Sequence, residues 1–310
     1  MHILVTGVAG CIGTNLCLRL LQLGHNVVGV DNFITGTKNN AVILSRNRRF
    51  TFIRHDITKS LAKKLIRYNF SDIYHLACPT GVANLTRLGE EMLLTSSVGT
   101  LNILNLAKEK RAKLLFTSSS EIYGDPKVSP QGENYTGNVD PVGMRSTYEE
   151  GKRFAESLIV FYARRFKLDA KIVRLFNVYG PYMNKKDSRV IPTFLRQAKD
   201  GIPLTVHGDG SQRRTFCYTS DLVEGLRIAM EKGTQGEVYN LGSDKQITMR
   251  ALALKVIALT KSESRIQYVA RPAHDHKTRL PSLEKIGCLG WKPKTSLDAG
   301  LADTMQWFGF

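Results

Sequence analysis

The chain has 310 residues, 42% of them hydrophobic, 8% aromatic and 23% charged, a composition that excludes a disordered or fibrous protein. Its 44 Lys+Arg against 27 Asp+Glu leave a net charge of +17, which attracts anions ranging from nucleic acid and membrane surfaces to phosphorylated small molecules. No apolar run approaches the roughly 20 residues of a membrane helix, so no membrane insertion is expected. Met1 and His2 lead straight into ILVTG, so no leader peptide is expected either, and the expectation is a cytoplasmic chain.

In chain order, HILVTG reads as a strand, residues 13–23 as an amphipathic helix, and NVVGVD, RFTFIRHD and SDIYHLA as three further strands. A helix around 95–110 and the strand AKLLFTSS follow. This alternation, with near-continuous apolar strands, predicts an α/β fold: a Rossmann-type doubly wound parallel sheet covered on both faces. A long helix is predicted over 146–166, then a buried strand in AKIVRLFNVYG. From about residue 179 the elements shorten and turns multiply (DGIPLTVHGDGSQ, KGTQGEVYNLGS, GWKPKTS). That change predicts a smaller mixed α/β domain over 179–310 beside a dinucleotide-binding domain over 1–178, with an approximate boundary across which segments can interleave.

The densest basic stretch, 46–67, carries Arg46, Arg48, Arg49, Arg54, Lys59, Lys63 and Lys64 against the single acid Asp56. Its aromatic residues are not interleaved as a stacking platform requires, so a solvated basic face is expected and no specific nucleic-acid partner. The cysteines (Cys11, Cys17, Cys78, Cys217, Cys288) contain no CxxC pair and predict buried, reduced thiols. His274, Asp275 and His276 have no further ligand cluster in the sequence, and no metal is expected.

Residues 3–14, ILVTGVAGCIGT, place glycines at 7, 10 and 13 between a strand and a helix. A side chain there would block backbone approach to a pyrophosphate, and the helix N-terminus offers unpaired N–H groups. The second strand ends in Asp31, eighteen residues beyond Gly13, where a carboxylate accepts hydrogen bonds from an adenosine ribose and repels a 2′-phosphate. NAD is therefore expected rather than NADP, with Asp56 as an adenine-edge contact.

Tyr148 and Lys152 lie four apart in STYEEGKRFAE, on one face of the long helix. A nearby ammonium favours the phenolate and is expected to lower the phenol pKa. The serine run in LLFTSSSEIYG adds hydroxyls at a strand's carboxyl end, where an open α/β sheet opens its crevice.

With these motifs in place, the chain resembles the extended short-chain dehydrogenase/reductase family acting on nucleotide sugars, and within it the UDP-glucuronate decarboxylases, or UDP-xylose synthases. The matching stretches are DNFITGTKNN, HLACP, TSSSEIYGDP, YEEGKRFAE, RLFNVYGP, PLTVHGDGSQRRTFCYTSDLVEGL, NLGS and LGWKPKTSLDAGL. The resemblance implies a redox-neutral decarboxylation of UDP-glucuronate through a 4-keto intermediate, with Tyr148 as base and Lys152 supporting it. Ser119 and Ser120 would hold the developing enolate, Glu121 matches the family's active-site glutamate, and Arg279 the arginine that meets the sugar carboxylate.

It also implies NAD contacts at Gly7, Gly10, Cys11, Ile12, Gly13, Asp31, Asn32, Phe33, Thr35, Gly36, Asp56, Ile57, Leu76 and Ala77, besides Tyr148 and Lys152. The UDP-sugar would meet Asn177, Arg189, Val190, Thr205, His207, Gln212, Arg214 and Arg279. A homodimer built on helices around 92–110 and 147–166 follows from the same resemblance. Where the family usually has Lys-Thr-Asn, the chain has Leu94, Thr95 and Ser96, which leaves a UDP-uronic acid 4-epimerase or a non-catalytic nucleotide-sugar-binding homologue as alternatives. Ser120-Glu121 in place of Asp-Glu counts against a 4,6-dehydratase.

Overall fold

A computed structural model describes residues 1–271 and 278–310. Five apolar runs of the N-terminal half become parallel strands: β1 (His2–Thr6), β2 (Asn26–Asp31), β3 (Phe50–Arg54), β4 (Phe70–His75) and β5 (Lys113–Ser119). With β6 (Ala170–Leu175) and an edge strand Val238–Leu241 they form a seven-stranded sheet. Running inward from that edge strand, the order is β6, β5, β4, β1, β2, β3. Chain direction across the sheet reverses between β1 and β4, which are hydrogen-bonded neighbours from Ile3 opposite Asp72 to Thr6 opposite His75. Ligand crevices of open α/β sheets form at this switch, outside the carboxyl ends of the two strands.

Both faces of the sheet are covered, which is why its strands are apolar on both sides. One face packs Val5, Leu115 and Val173 against Leu16, Leu20, Leu222 and Leu226 of helices Cys11–Gln22 and Thr219–Lys232. The other packs Leu4, Ile73, Leu114 and Ile172 against Ile103, Leu106, Ala155 and Ile159 of helices Thr100–Lys110 and Ser146–Phe166. A third apolar cluster, around Phe194, Leu195, Leu252, Val256, Leu301 and Phe308, joins helices Val190–Lys199, Met249–Thr260 and Leu297–Phe308. The last two start at Thr248 and Ser296, whose hydroxyls accept from Ala251 and Ala299 N–H and satisfy first-turn donors.

Two boundaries and the burial of the thiols differ from the sequence reading. The helix expected from residue 95 begins at Gly89 and passes through a π turn over Thr95–Gly99 before resuming at Thr100. The strand expected through AKIVRLFNVYG breaks after Leu175, and only Val178–Tyr179 pair again, with Cys217–Tyr218. The thiols are not uniformly buried, since Cys288 is exposed and Cys11 and Cys78 are partly accessible. Arg46, Arg48, Arg49, Arg54, Lys59, Lys63 and Lys64 are all exposed. Among the described residues no helix is long and apolar enough to cross a membrane, and His274, Asp275 and His276 lie outside them.

Beneath the switch point sits His75, wholly buried. Thr6 Oγ1 accepts from the Leu76 and Ala77 N–H groups and lies 2.8 Å from His75 Nδ1. With its acceptor capacity so engaged, the Thr6 hydroxyl donates to Nδ1, leaving the ring proton on Nε2, 3.2 Å from Thr100 Oγ1. Thr100 in turn donates to Thr95 O, the carbonyl where the π turn begins. Burial, reinforced by Lys152, drives the His75 pKa from 6.5 down to about 3.

The unfolded chain therefore binds a proton near pH 6.5 that the folded chain refuses. Stability present above pH 6.5 is lost as pH falls toward 3. Between pH 6.5 and 5 the loss is about 2 kcal/mol, and His75→Gln should remove that part of the slope in urea unfolding. An unchanged slope in the variant would refute the assignment.

Candidate active site

The site begins with the turn out of β1. Gly7 has a left-handed φ of +76°, and a Cβ on it would meet Ala77 N at 2.9 Å, so only glycine lets the two strand ends close together. Gly10 caps helix Cys11–Gln22 without a side-chain cap, and its first turn has no acidic residue. The first-turn N–H groups of Cys11, Ile12 and Gly13 have no intrahelical partners. A positive, uncapped helix end beneath a side-chain-free loop is what a pyrophosphate needs.

Asp31 closes β2. Its Oδ2 accepts from Ala9 N at 2.9 Å and its Oδ1 from Phe33 N at 2.7 Å, which ties the glycine loop to the turn carrying Asn32, Phe33, Thr35 and Gly36. Burial raises the Asp31 pKa against these backbone donors. A carboxylate offers about four lone-pair sites, so acceptor capacity is left for ribose hydroxyls. Asp56 accepts from Thr58 N and Oγ1 at 2.9 and 2.8 Å and from the Asn32 side chain of the turn after β2, and Ile57 is buried. The sequence-derived NAD contacts thus lie at the carboxyl ends of β1, β2, β3 and β4, and the donor set fits a dinucleotide.

Across the switch point, the end of β5 faces the start of helix Ser146–Phe166. Lys152, 3% exposed, donates from Nζ to Thr117 O at 2.8 Å and lies 4.5 Å from the Phe116 ring centroid and 5.9 Å from that of Tyr148. Burial lowers the Lys152 pKa. Tyr148 is partly accessible, and its phenol pKa is raised, by burial first and by Cys78 second, against a hydrogen bond with Ser119. The expected lowering by the ammonium is therefore corrected: in the protein alone, loss of solvent dominates and the phenol pKa goes up.

Ser119 Oγ also accepts from Glu121 N at 3.2 Å, which turns the chain into the short helix Ser120–Tyr123. The Glu121 carboxylate is gripped by two guanidiniums. Arg279, 4% exposed, donates to Glu121 Oε2 and to Gly124 O, both at 3.0 Å, and to Ser120 Oγ at 3.2 Å. Arg145 donates to the same Oε2 and, from Nε, to Glu149 Oε1 at 3.0 Å.

Immediately after Arg279 the chain is fastened. Leu280 N donates to Gln131 Oε1 and Gln131 N to Leu280 O, while Ser282 N donates to Gln131 O. Asn240 of the edge strand donates to that same Gln131 carbonyl.

The residues expected to hold the nucleotide all follow β6 in the chain. Arg189 caps helix Val190–Lys199 and forks onto Asp187 with Nε and Nη2, at 2.6–3.1 Å. It is close enough to Cys11 and Tyr148 to act on both electrostatically. Cys11 Sγ donates to Pro181 O, and burial pushes its thiol up to about 12, so it is no nucleophile. Asn177 donates to Thr215 O, Gln212 to His207 O, and Thr205 Oγ1 accepts from Gln197. Arg214 lies opposite Ile247 in a short antiparallel pair. Sequence reasoning passed over Arg145, Glu149 and His75. Arg145 stands three residues before Tyr148 and four before Glu149, the one local spacing that could have flagged it.

Comparison with known proteins agrees with this geometry. The model of the NAD dependent epimerase/dehydratase family matches residues 3–242. A UDP-glucuronic acid decarboxylase of Arabidopsis thaliana is 45% identical over 303 residues, 97% of this chain and 87% of the relative. One from Danio rerio is 40% identical over 308 residues, 99% of this chain and 72% of the relative. Among solved structures, the UDP-glucuronic acid 4-epimerase of Bacillus cereus in complex with UDP-glucuronic acid and NAD superposes with a TM-score of 0.90. It is 29% identical and covers 99% of this chain and 98% of its own.

Proposed function

The chain belongs to the NAD dependent epimerase/dehydratase family, and from that premise we propose that it converts UDP-glucuronate to UDP-xylose and CO2 without net redox change. The observation that carries this reading is Arg279: a buried guanidinium beside Ser120 and Glu121, at the strand end that also serves Tyr148, is a partner for a sugar that bears a carboxylate.

NAD, when bound across Gly7–Gly13 and Asp31, supplies reversible two-electron oxidation at sugar C4. Tyr148 takes the O4 proton at its phenol oxygen and returns it when C4 is reduced again. Lys152, fixed by Thr117 O, holds a positive charge beside the phenolate as it forms. The Ser119 hydrogen bond fixes the phenol in place. Once C4 is a ketone, the C5 carboxylate lies β to it, and loss of CO2 delivers the C–C bond electrons into the C4 carbonyl. Hydroxyl donors from Ser119 and Ser120 stabilise the developing enolate oxygen. C5 then takes up a proton, and reduction at C4 completes UDP-xylose. Arg189, Arg214, Gln212, Asn177, Thr205 and His207 bind the UDP portion, with Val190 beside them.

The test is incubation of the purified protein with NAD and UDP-glucuronate, with products resolved by chromatography and mass spectrometry. A product lighter by one CO2, without accumulated NADH, is expected. An isomer of unchanged mass would replace the reading with a 4-epimerase, and no product would replace it with a binding role.

The same reading makes the protein a homodimer. Leu94, Val98 and Leu101 on one helix and Phe154 and Phe161 on the neighbouring one are exposed, and apolar side chains left in solvent on adjoining helices support a subunit contact there. The double variant Phe154→Asp, Phe161→Asp should shift the mass by light scattering from dimer to monomer. A monomeric wild type would refute the dimer.

A further inference from the structure

Glu121, Arg279, Arg145 and Glu149 are linked into one group by ion pairs drawn from three chain segments. Arg279 and Glu149 are almost fully buried, with 4% and 5% side-chain exposure. Pairing of opposite charges is how ionised groups persist away from water. The function proposed above adds one more carboxylate, that of the sugar, and directs it to Arg279. Arg279 already spends Nη2 on Glu121 and Nη1 on Ser120. The sugar carboxylate then competes with Glu121 for Arg279, while Arg145 stays on the same Glu121 oxygen.

We propose that Arg145 is the positioning residue that retains Glu121 when Arg279 turns to the sugar carboxylate, and thereby sets the preference for an acidic over a neutral sugar. The inference rests on the uronate reading above. Arg145 is suited to the task by its fork, with one edge on Glu121 and Nε on Glu149. It leads directly into helix Ser146–Phe166, and both Tyr148 and Glu149 donate their backbone N–H groups to Arg145 O. The guanidinium that holds Glu121 is thereby fixed on the same turn as the phenol. Glu149 completes the arrangement, because burial first and the Glu121 charge second raise its pKa, so both carboxylates need the Arg145 charge between them. Removing Arg145 takes one guanidinium from Glu121 and strengthens its hold on Arg279, against which the sugar carboxylate must compete.

The experiment compares UDP-glucuronate, UDP-glucose and UDP as ligands of the NAD-loaded wild type, Arg145→Gln and Arg145→Lys by calorimetric titration, with decarboxylation followed in parallel. In Arg145→Gln the ratio of UDP-glucuronate to UDP-glucose affinity should fall about tenfold or more, which corresponds to about 1.4 kcal/mol, while UDP binding stays within about twofold. Arg145→Lys restores the charge but not the fork, and should recover part of the preference.

Equal weakening of all three ligands, or an unchanged ratio in both variants, would overturn the proposal. If Arg145→Gln fails to fold, the ratio in Arg145→Lys decides: a preference undiminished from the wild type rejects it. Failure of the uronate reading is separately visible, because the wild type itself would then show no preference and release no CO2, and the proposal falls with it.

Discussion

Tyr148→Phe lowers kcat by about 10³-fold, within the span of a positioned general base, while NAD and UDP-glucuronate affinities stay within about twofold. The variant removes one oxygen from a partly accessible ring at the head of helix Ser146–Phe166 and leaves the Lys152 bond to Thr117 O intact. What is lost is the acceptor for the O4 proton, so the effect falls on turnover and not on binding. Because burial raises the phenol pKa in the protein alone, kcat/KM of the wild type should rise with pH through the neutral range. Single-turnover measurements of CO2 release against calorimetric NAD titration separate the two effects. Substantial turnover in Tyr148→Phe would remove Tyr148 as the base.

Gly13→Ala is the second large effect. A Cβ at this position would stand 2.2 Å from Gly7 O, 2.8 Å from Gly7 C and 2.8 Å from Val8 Cα. All three are backbone atoms, so no rotamer change relieves the clash, and the loop must part from the helix. Overpacking of this kind costs about 1–3 kcal/mol. Since the displaced atoms are those that meet the pyrophosphate, NAD affinity should fall by about 10- to 100-fold. Gly10→Ala is the control for stability, because its Cβ would lie 3.4 Å from Gly7 O, at ordinary contact. Thermal unfolding without NAD should thus separate the two variants, and titration with NAD should show the loss in Gly13→Ala. Wild-type affinity in Gly13→Ala would mean that the loop does not carry the cofactor.

How much of this was legible in the sequence follows from how local each feature is. The glycine loop, Asp31 at the end of β2 and the Tyr148 and Lys152 pair are set by spacing along one strand or one helix, and each emerged where the periodicity put it. The doubly covered parallel sheet was implied by the alternation of elements and their apolar strands, whereas the order of the strands is seen only in the fold. Arg145 was not legible because its partner Glu121 is 24 residues away, and an arginine before a helix is unremarkable on its own. Nor was the column through His75, whose contact with Thr6 spans 69 residues. The π turn in TSSVG has no signature in residue type. The pKa of Tyr148 was misjudged for a related reason: the lysine was visible in the sequence, but the loss of solvent around the phenol exists only once the chain is folded.

The fastening of residues 280–282 to Gln131, and of Gln131 to the edge strand, also bears on how such a protein can diversify. Position 279 is the last residue before an anchored segment, so the backbone that presents its side chain is held by contacts in which that side chain takes no part. Meanwhile Gly7, Asp31, Tyr148 and Lys152 lie on other elements and keep their own geometry. Selection can therefore retune which sugar is accepted at one end of the crevice while the oxidation machinery at the other end is inherited unchanged.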